Sequence, residues 1–430
     1  MSDSRPIAID LFAGAGGLSL GLEQAGFDVV AAVEIDPIHS CVHQYNFPNC
    51  ALLPHPIERI SGHQIRQAAG LDRSQPIDLV AGGAPCQGFS LMGQRALDDP
   101  RNHLIRDYIR IIQELQPSYF LFENVKGITL GKHQIFLEEI IAELEDLGYR
   151  LVLPWQILNA KDYGVPQNRE RLFLMGTKQG HRPPHYPPPF PGHPVTCQAA
   201  LGDLPDAEAY EILLHTDEVA YEHCDSFSDY ASLMRCANDA AWRLGYRRLW
   251  DEGRLTSSRR TVHSARSRRR FLETPPGQVE KISRFFKLSA DGVSNTLRAG
   301  TDASRGAFTS PRPIHYRYPR CVTVREMARL HGFPDWFRFH ATKWHGARQI
   351  GNAVPPPLAY ALGRAIIAAM DVPLDPPEAI LALGDDGLLR MDMQAASAYW
   401  GVNNPIAGRD RNSGQKKQRP GEIGSKPLPA

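Results

Sequence analysis

From Pro6 to about Gly176, short apolar runs alternate with amphipathic stretches of helical period. That order is satisfied by a mostly parallel, doubly wound α/β sheet with helices on its faces, and by few other folds. The candidate strands are Ile7 to Phe12, Val29 to Val33, Asp78 to Gly82, Tyr119 to Glu123, Tyr149 to Asn159 and Arg171 to Met175. Helices are expected over Asn102 to Glu114 and Gln134 to Leu147. In the first of these Ile105, Ile109 and Ile112 recur near one helical turn and define one buried face.

The pattern stops at HRPPHYPPPFPGHP, His181 to Pro194, where proline can continue neither a helix nor a central strand. A chain of 430 residues, 42% hydrophobic, has length for two domains with a core each. The expected division is a first domain over 1–177, a second over 178–335, a segment over 336–372 that returns to the first, and a flexible tail over 373–430. Net charge is only +1, so a nucleic-acid surface would need uneven charge. Arg254 to Arg270 offers that unevenness, with seven arginines and no carboxylate, although a solvated loop has the same composition. The seven cysteines include no C-x-x-C pair, which favours reduced thiols over a disulfide framework or zinc site. No uninterrupted apolar run reaches the ~20 residues of a membrane span, and a soluble, cytoplasmic protein is expected.

Three strand ends carry chemistry. DLFAGAGG, Asp10 to Gly17, ends a strand in glycines and opens a helix, a geometry that lets backbone approach a ligand and presents N–H groups to a carboxylate. Glu34 closes the next strand about 20 residues on, where an acid in such folds accepts ribose hydroxyls. A tight turn and a surface glutamate remain the plainer alternative. No Walker lysine follows, which argues against a nucleoside triphosphate. GGAPCQGFS places Cys86 just past a strand, with Pro85 stiffening its approach, and SLMGQRALDDPRN after it reads as a mobile loop. ENV puts Glu123 at another strand end, where partial burial would raise its pKa. QNRER carries Arg169 and Arg171 two residues apart on one face of an extended segment.

In this order DLFAGAGG, Glu34, PCQGFS, ENV, QNRER, TVREMARLHGFP and QIGNAVPPPLA closely resemble the DNA cytosine-5 methyltransferase family of bacterial restriction-modification systems. The match covers about 7–177 and 291–370. It implies a Rossmann-like S-adenosylmethionine methyltransferase fold with a smaller target-recognition domain between the blocks. The resemblance further implies Cys86 as the nucleophile, Glu123 on N3 and the exocyclic amine of the target cytosine, and Arg171 with Arg169 at O2 and around the pocket. S-adenosylmethionine would meet Phe12, Ala13, Gly14, Gly16, Gly17, Glu34, Ile35, Ile57, Pro85, Leu104, Asn352 and Ala353, with no metal. Family members often have Gly-Asp-Ile where this chain has His55, Pro56 and Ile57, which leaves the polar partner of the adenine open, with Asp78 a less certain substitute. Gln87, Ser90, Arg101 and Thr296, together with Arg259, Arg260, Arg268, Arg269 and Arg270, are the candidate contacts to double-stranded DNA. The expected partners are that DNA and a cognate restriction endonuclease, with the protein itself a monomer. A tRNA methyltransferase and a non-catalytic DNA-binding module are the rival readings.

Overall fold

The computed structural model describes residues 5–84, 103–131, 133–222, 228–300 and 311–403. Pro85, Cys86, Gln87, Ser90 and Arg101 therefore lie outside the described residues, as does the loop expected after Cys86.

An eight-stranded sheet organises the first half of the chain. Its strands are β1 (Ile7–Leu11), β2 (Asp28–Val33), β3 (Ala51–Leu53), β4 (Leu79–Gly82), β5 (Tyr119–Val125), β6 (Tyr149–Leu151), β7 (Gln156–Asn159) and β8 (Glu170–Lys178). Their order is β3-β2-β1-β4-β5-β8-β6, with β7 also paired to β8. The strands from β3 to β5 are parallel, and β8 runs antiparallel to β5, β6 and β7. The direction in which strands are added reverses at β1: β2 and β3 lie on one side of it and β4 and β5 on the other. Such a switch point opens a crevice at the carboxyl ends of the two strands that flank it. The strand expected over Tyr149 to Asn159 is two strands, β6 and β7, separated by Pro154, which has no N–H to give a ladder. The short β3 escaped the sequence pattern because three residues show no period.

Helices α3 (Gly62–Ala68), α4 (His103–Leu115) and α5 (His133–Asp146) cover one face of the sheet. Ile105, Ile109 and Ile112 of α4 are buried there, as their spacing predicts. On its outer side Arg110 donates to the carbonyls of Ile57 and Ile60 at 2.8 and 2.9 Å, which fixes the turn after β3. The other face is covered by α1 (Gly17–Ala25) and the late helix Pro356–Met370. The two helices approach closely at glycines. A Cβ on Gly21 would lie 2.5 Å from the carbonyl oxygen of Pro356, and one on Gly363 would lie 2.6 Å from Ala25 Cβ. The run Lys343–Met370 has the length and hydropathy of a membrane span, but 67% of its most apolar window is buried inside the protein.

Two expectations about the second half are corrected. The sheet has an apolar cluster on each of its faces, and a further cluster joins Ala13, Leu20 and Phe47 to Leu201, Met234, Leu288, Met327 and Ile350, across the expected boundaries. That cluster does not stop at residue 335, since Trp336, Phe337 and Phe339 belong to it together with Met327 and Leu330. Nor is the chain after 373 wholly a flexible tail. Ile380–Ala382 pairs with Arg247–Leu249, and Leu388, Leu389 and Ala396 pack on Ile38, Val42 and Tyr45 of α2 (Pro37–Asn46). Composition rich in proline and glycine concealed these few apolar anchors.

Candidate active site

The order β2-β1-β4-β5 places Glu34, the glycine turn, Ala84 and Glu123 in one row along the carboxyl rim of the sheet. With neighbouring strands ~4.8 Å apart, the row spans about 14 Å, the size of a nucleoside beside a base. Because β8 is antiparallel, its first residues meet the same rim, and Arg171 pairs in register with Val125.

The glycine turn has positive φ at three residues, Phe12 at 61°, Gly14 at 58° and Gly16 at 101°, which glycine adopts freely and which strains only Phe12. Gly16 precedes α1 with no side-chain cap on the helix, and a Cβ on Gly14 would meet nothing within 4 Å. Backbone N–H groups and open space thus meet at a helix start, the arrangement that receives an anionic group. Glu34 is buried, with Gly14 N–H donating to one carboxylate oxygen and Asp36 N–H to the other, both at 2.8 Å. Burial raises its pKa, opposed by nearby His39. Beside it Ile35 is 52% exposed, an apolar surface at the lip of a polar cleft. An uncapped helix start, a rim carboxylate and a bare apolar side chain fit the carboxylate, ribose and base of S-adenosylmethionine. Ile57 is buried behind this rim and Leu104 half-buried at the start of α4.

Glu123 reaches across to Arg171, with Oε1 3.0 Å from Nε. Burial pushes the carboxyl pKa up, against the pull of Arg171 and Arg169. Its other oxygen lies against the β4 exit: a Cβ on Gly83 would be 2.6 Å from Glu123 Oε2. Asn124 Nδ2 donates to Ala84 O at 3.2 Å, anchoring the chain two residues before Cys86.

Arg169, expected beside Arg171 as a pocket contact, is instead committed to main-chain carbonyls. It donates to Leu297 O at 3.1 Å, Gly351 O at 3.0 Å and Ala353 O at 2.9 Å, and it is 1% exposed. The late block is close at hand. A Cβ on Gly17 would meet Val354 O at 2.5 Å, Ala353 is half-buried and Asn352 is exposed. Asp78 is excluded as an adenine partner, since it precedes β4 at the opposite rim and accepts from Ile7 N–H at 2.7 Å. Thr296 donates to Asn168 O at 2.7 Å.

The arginine run is not a uniformly free basic face. Arg268 pairs with Glu208 at 2.7 Å, Arg270 with Glu280 at 3.3 Å, and Arg260 and Arg259 donate to the carbonyls of Glu208 and Leu214. Arg269 is the outlier: its side chain is 81% exposed and pairs only with Glu273 of its own helix, Ala265–Glu273.

The family model described as C-5 cytosine-specific DNA methylase matches residues 7–368. The chain belongs to this family. The methylase is 53% identical over 406 residues to the type II methyltransferase M.XorII of Xanthomonas oryzae pv. oryzae, covering 94% of this chain and 95% of that one. It is 32% identical to the type II methyltransferase M1.HphI of Haemophilus parahaemolyticus, over 84% and 86% of the two chains. Among solved structures, a prophage-encoded E. coli protein described as a DNA modification methyltransferase superposes with TM-score 0.69 at 32% identity, covering 85% of this methylase and all of that chain. The mixed, mostly parallel sheet is therefore the methyltransferase fold expected from the sequence, and the protein is a DNA (cytosine-5-)-methyltransferase.

Several residues of the methylase site were missed in the sequence. Buried Asp10 accepts from Ser19 Oγ at 2.6 Å, and that hydroxyl lies 3.0 Å from His43 Nε2, beneath the glycine turn. Burial pushes Asp10 up to about 7 and His43 down to about 3. The signal was a carboxylate inside an apolar strand. Gln167 and His331 were missed as well; both are buried and hydrogen-bonded to each other at 2.8 Å.

Proposed function

We propose that this methylase transfers the methyl group of S-adenosylmethionine to C5 of a cytosine rotated out of duplex DNA, with Cys86 as nucleophile and Glu123 as proton donor. The observation that carries this reading is the Glu123–Arg171 pair, which lies against Gly83, on the strand exit that leads within three residues to the only cysteine in a Pro-Cys pair. Cytosine C5 is a poor nucleophile until C6 is substituted, and a thiolate adds to such a carbon reversibly. The Cys86 sulfur forms a bond to C6, ring electrons move toward N3, and Glu123 delivers a proton there while Arg171 holds O2. The bound cofactor supplies an electrophilic methyl group to the C5 so activated. The N3 proton then returns to Glu123, and loss of the C5 proton to solvent restores the ring and expels Cys86 as thiolate. Glu34 holds the ribose, Phe12 and Ile35 flank the apolar parts, and Gly14, Gly16 and Gly17 admit the remainder. C6 is inaccessible in a stacked duplex, so the base must leave the stack at a cost of a few kcal/mol.

The similarity to type II methyltransferases supports a place in a restriction-modification system, with an endonuclease acting on the same DNA site. Residues 178–335 supply the surface that reads that site, with Thr296 near a phosphate and exposed Arg269 on the backbone. A duplex carrying 5-fluorocytosine tests the chemistry, because fluorine at C5 cannot be lost as a proton can. With S-adenosylmethionine present the protein should become covalently joined to such DNA through Cys86. A folded, cofactor-bound protein that forms no adduct would remove Cys86 as the covalent nucleophile.

A further inference from the structure

Leu297 is gripped from both sides by the segment that precedes β8. Its N–H donates to Gln167 Oε1 at 3.0 Å, and its carbonyl accepts from Arg169 Nη1 at 3.1 Å. The first bond fixes the orientation of the Gln167 amide, so Nε2 is the donor, to His331 Nδ1 at 2.8 Å and Leu330 O at 3.2 Å. Nδ1 of His331 is then the unprotonated nitrogen, and Nε2–H donates to Ala353 O at 3.0 Å. Burial keeps this imidazole neutral, in agreement with that tautomer. Ala353 O also accepts from Arg169 Nη2. Two relays, one through Gln167 and His331 and one through Arg169, therefore connect the main chain of Leu297 with that of Ala353. Neighbouring backbone leaves no room for slippage, since a Cβ on Gly351 would lie 2.3 Å from Ala299 N. At one end of this ring is Thr296. At the other, Val354 O rests against Gly17 of the glycine turn.

We propose that Gln167, Arg169 and His331 are positioning residues forming a buried latch, through which DNA held near Thr296 and the cofactor held at the glycine turn strengthen each other's binding. The proposal rests on the reading of those two ends as DNA and cofactor sites. Coupling of this kind is reciprocal and shifts affinity roughly 5- to 150-fold.

The test compares binding of S-adenosylhomocysteine, by titration calorimetry, with and without a duplex obtained by binding selection. The duplex should tighten it about tenfold in the wild type. In His331→Leu the ratio should fall close to one, and in His331→Gln, which can still accept from Gln167 and donate to Ala353, most of it should return. A ratio near one in the wild type, or an unchanged ratio in His331→Leu, overturns the latch. A second measurement needs no variant. Adding S-adenosylhomocysteine alone to the wild type should slow hydrogen exchange at the Leu297 amide about fivefold, and an unchanged rate likewise overturns it. Neither readout requires methyl transfer, so a protein that shows the coupling without forming the Cys86 adduct supports the latch while refuting the catalytic assignment.

Discussion

At the sheet rim Glu34 and Glu123 are carboxylates drawn out of water and held by main-chain N–H groups or by one arginine. Along residues 254–270 the arginines meet the opposite fate: Arg260, Arg268 and Arg270 are tied to the acidic residues and carbonyls of their own chain. A few carboxylates gathered along one rim make a candidate site, whereas a dense run of like charges folded against its neighbours contributes chiefly to structure. Surface ion pairs of the latter sort are worth roughly 0–1 kcal/mol each and are screened by salt.

The contrast can be broken most directly at the rim. Cys86→Ser should lower methyl transfer by at least about a thousandfold, since a hydroxyl is a far weaker nucleophile at neutral pH. Binding of S-adenosylhomocysteine should be unchanged, so labelled-methyl incorporation and calorimetry together check it; substantial residual turnover would remove the sulfur from the mechanism. Glu123→Gln should cost about a hundredfold in kcat, and the fall in rate at high pH, where a donor carboxyl with its pKa raised by burial loses its proton, should disappear. Gly351→Ala sharpens the role of the late block. Its Cβ would strike Ala299 backbone, and a loss of about 1–3 kcal/mol is expected by chemical denaturation.

Asp10 offers a smaller, pH-dependent effect. Its folded pKa, near 7, lies above the ordinary aspartate value of 3.8, so the folded state binds the extra proton. The stability this contributes is full below about pH 4 and is lost as pH rises through 7. Asp10→Asn should therefore melt progressively higher relative to wild type as pH increases from 5 to 8; a constant difference would mean that Asp10 is ionised throughout. Smallest of all, Arg269→Ala should make the salt dependence of DNA binding shallower by about one counterion. Arg268→Ala should chiefly lower the melting temperature, and if instead the two variants change the salt slope equally, the distinction between an arginine held against a distant element and one exposed on its own helix fails.

The strands of the parallel sheet and the rim positions of Glu34, Glu123 and Arg171 were legible because the two acids lie where an apolar run ends and Arg171 where one begins, and burial forces that pattern on the sequence. The short β3, the break at Pro154 and the packed segment after residue 380 were not, because each is held by a few contacts from distant parts of the chain. Arg169 illustrates the limit within the site itself. It shares with Arg171 an extended spacing and a charge, and nothing local predicts that one meets a carboxylate while the other meets three carbonyls.

By itself the sequence determined the family, the kind of sheet, and which side chains end its strands, since those follow from the order of apolar runs and the residues that punctuate them. Tertiary structure alone decided which charges pair across the rim and which are neutralised inside the fold, and which apolar residues of the two halves meet in one cluster. The physical reason is that a hydrogen bond or ion pair is chosen among groups hundreds of residues apart, by whichever is brought within about 3 Å once the apolar surfaces have closed.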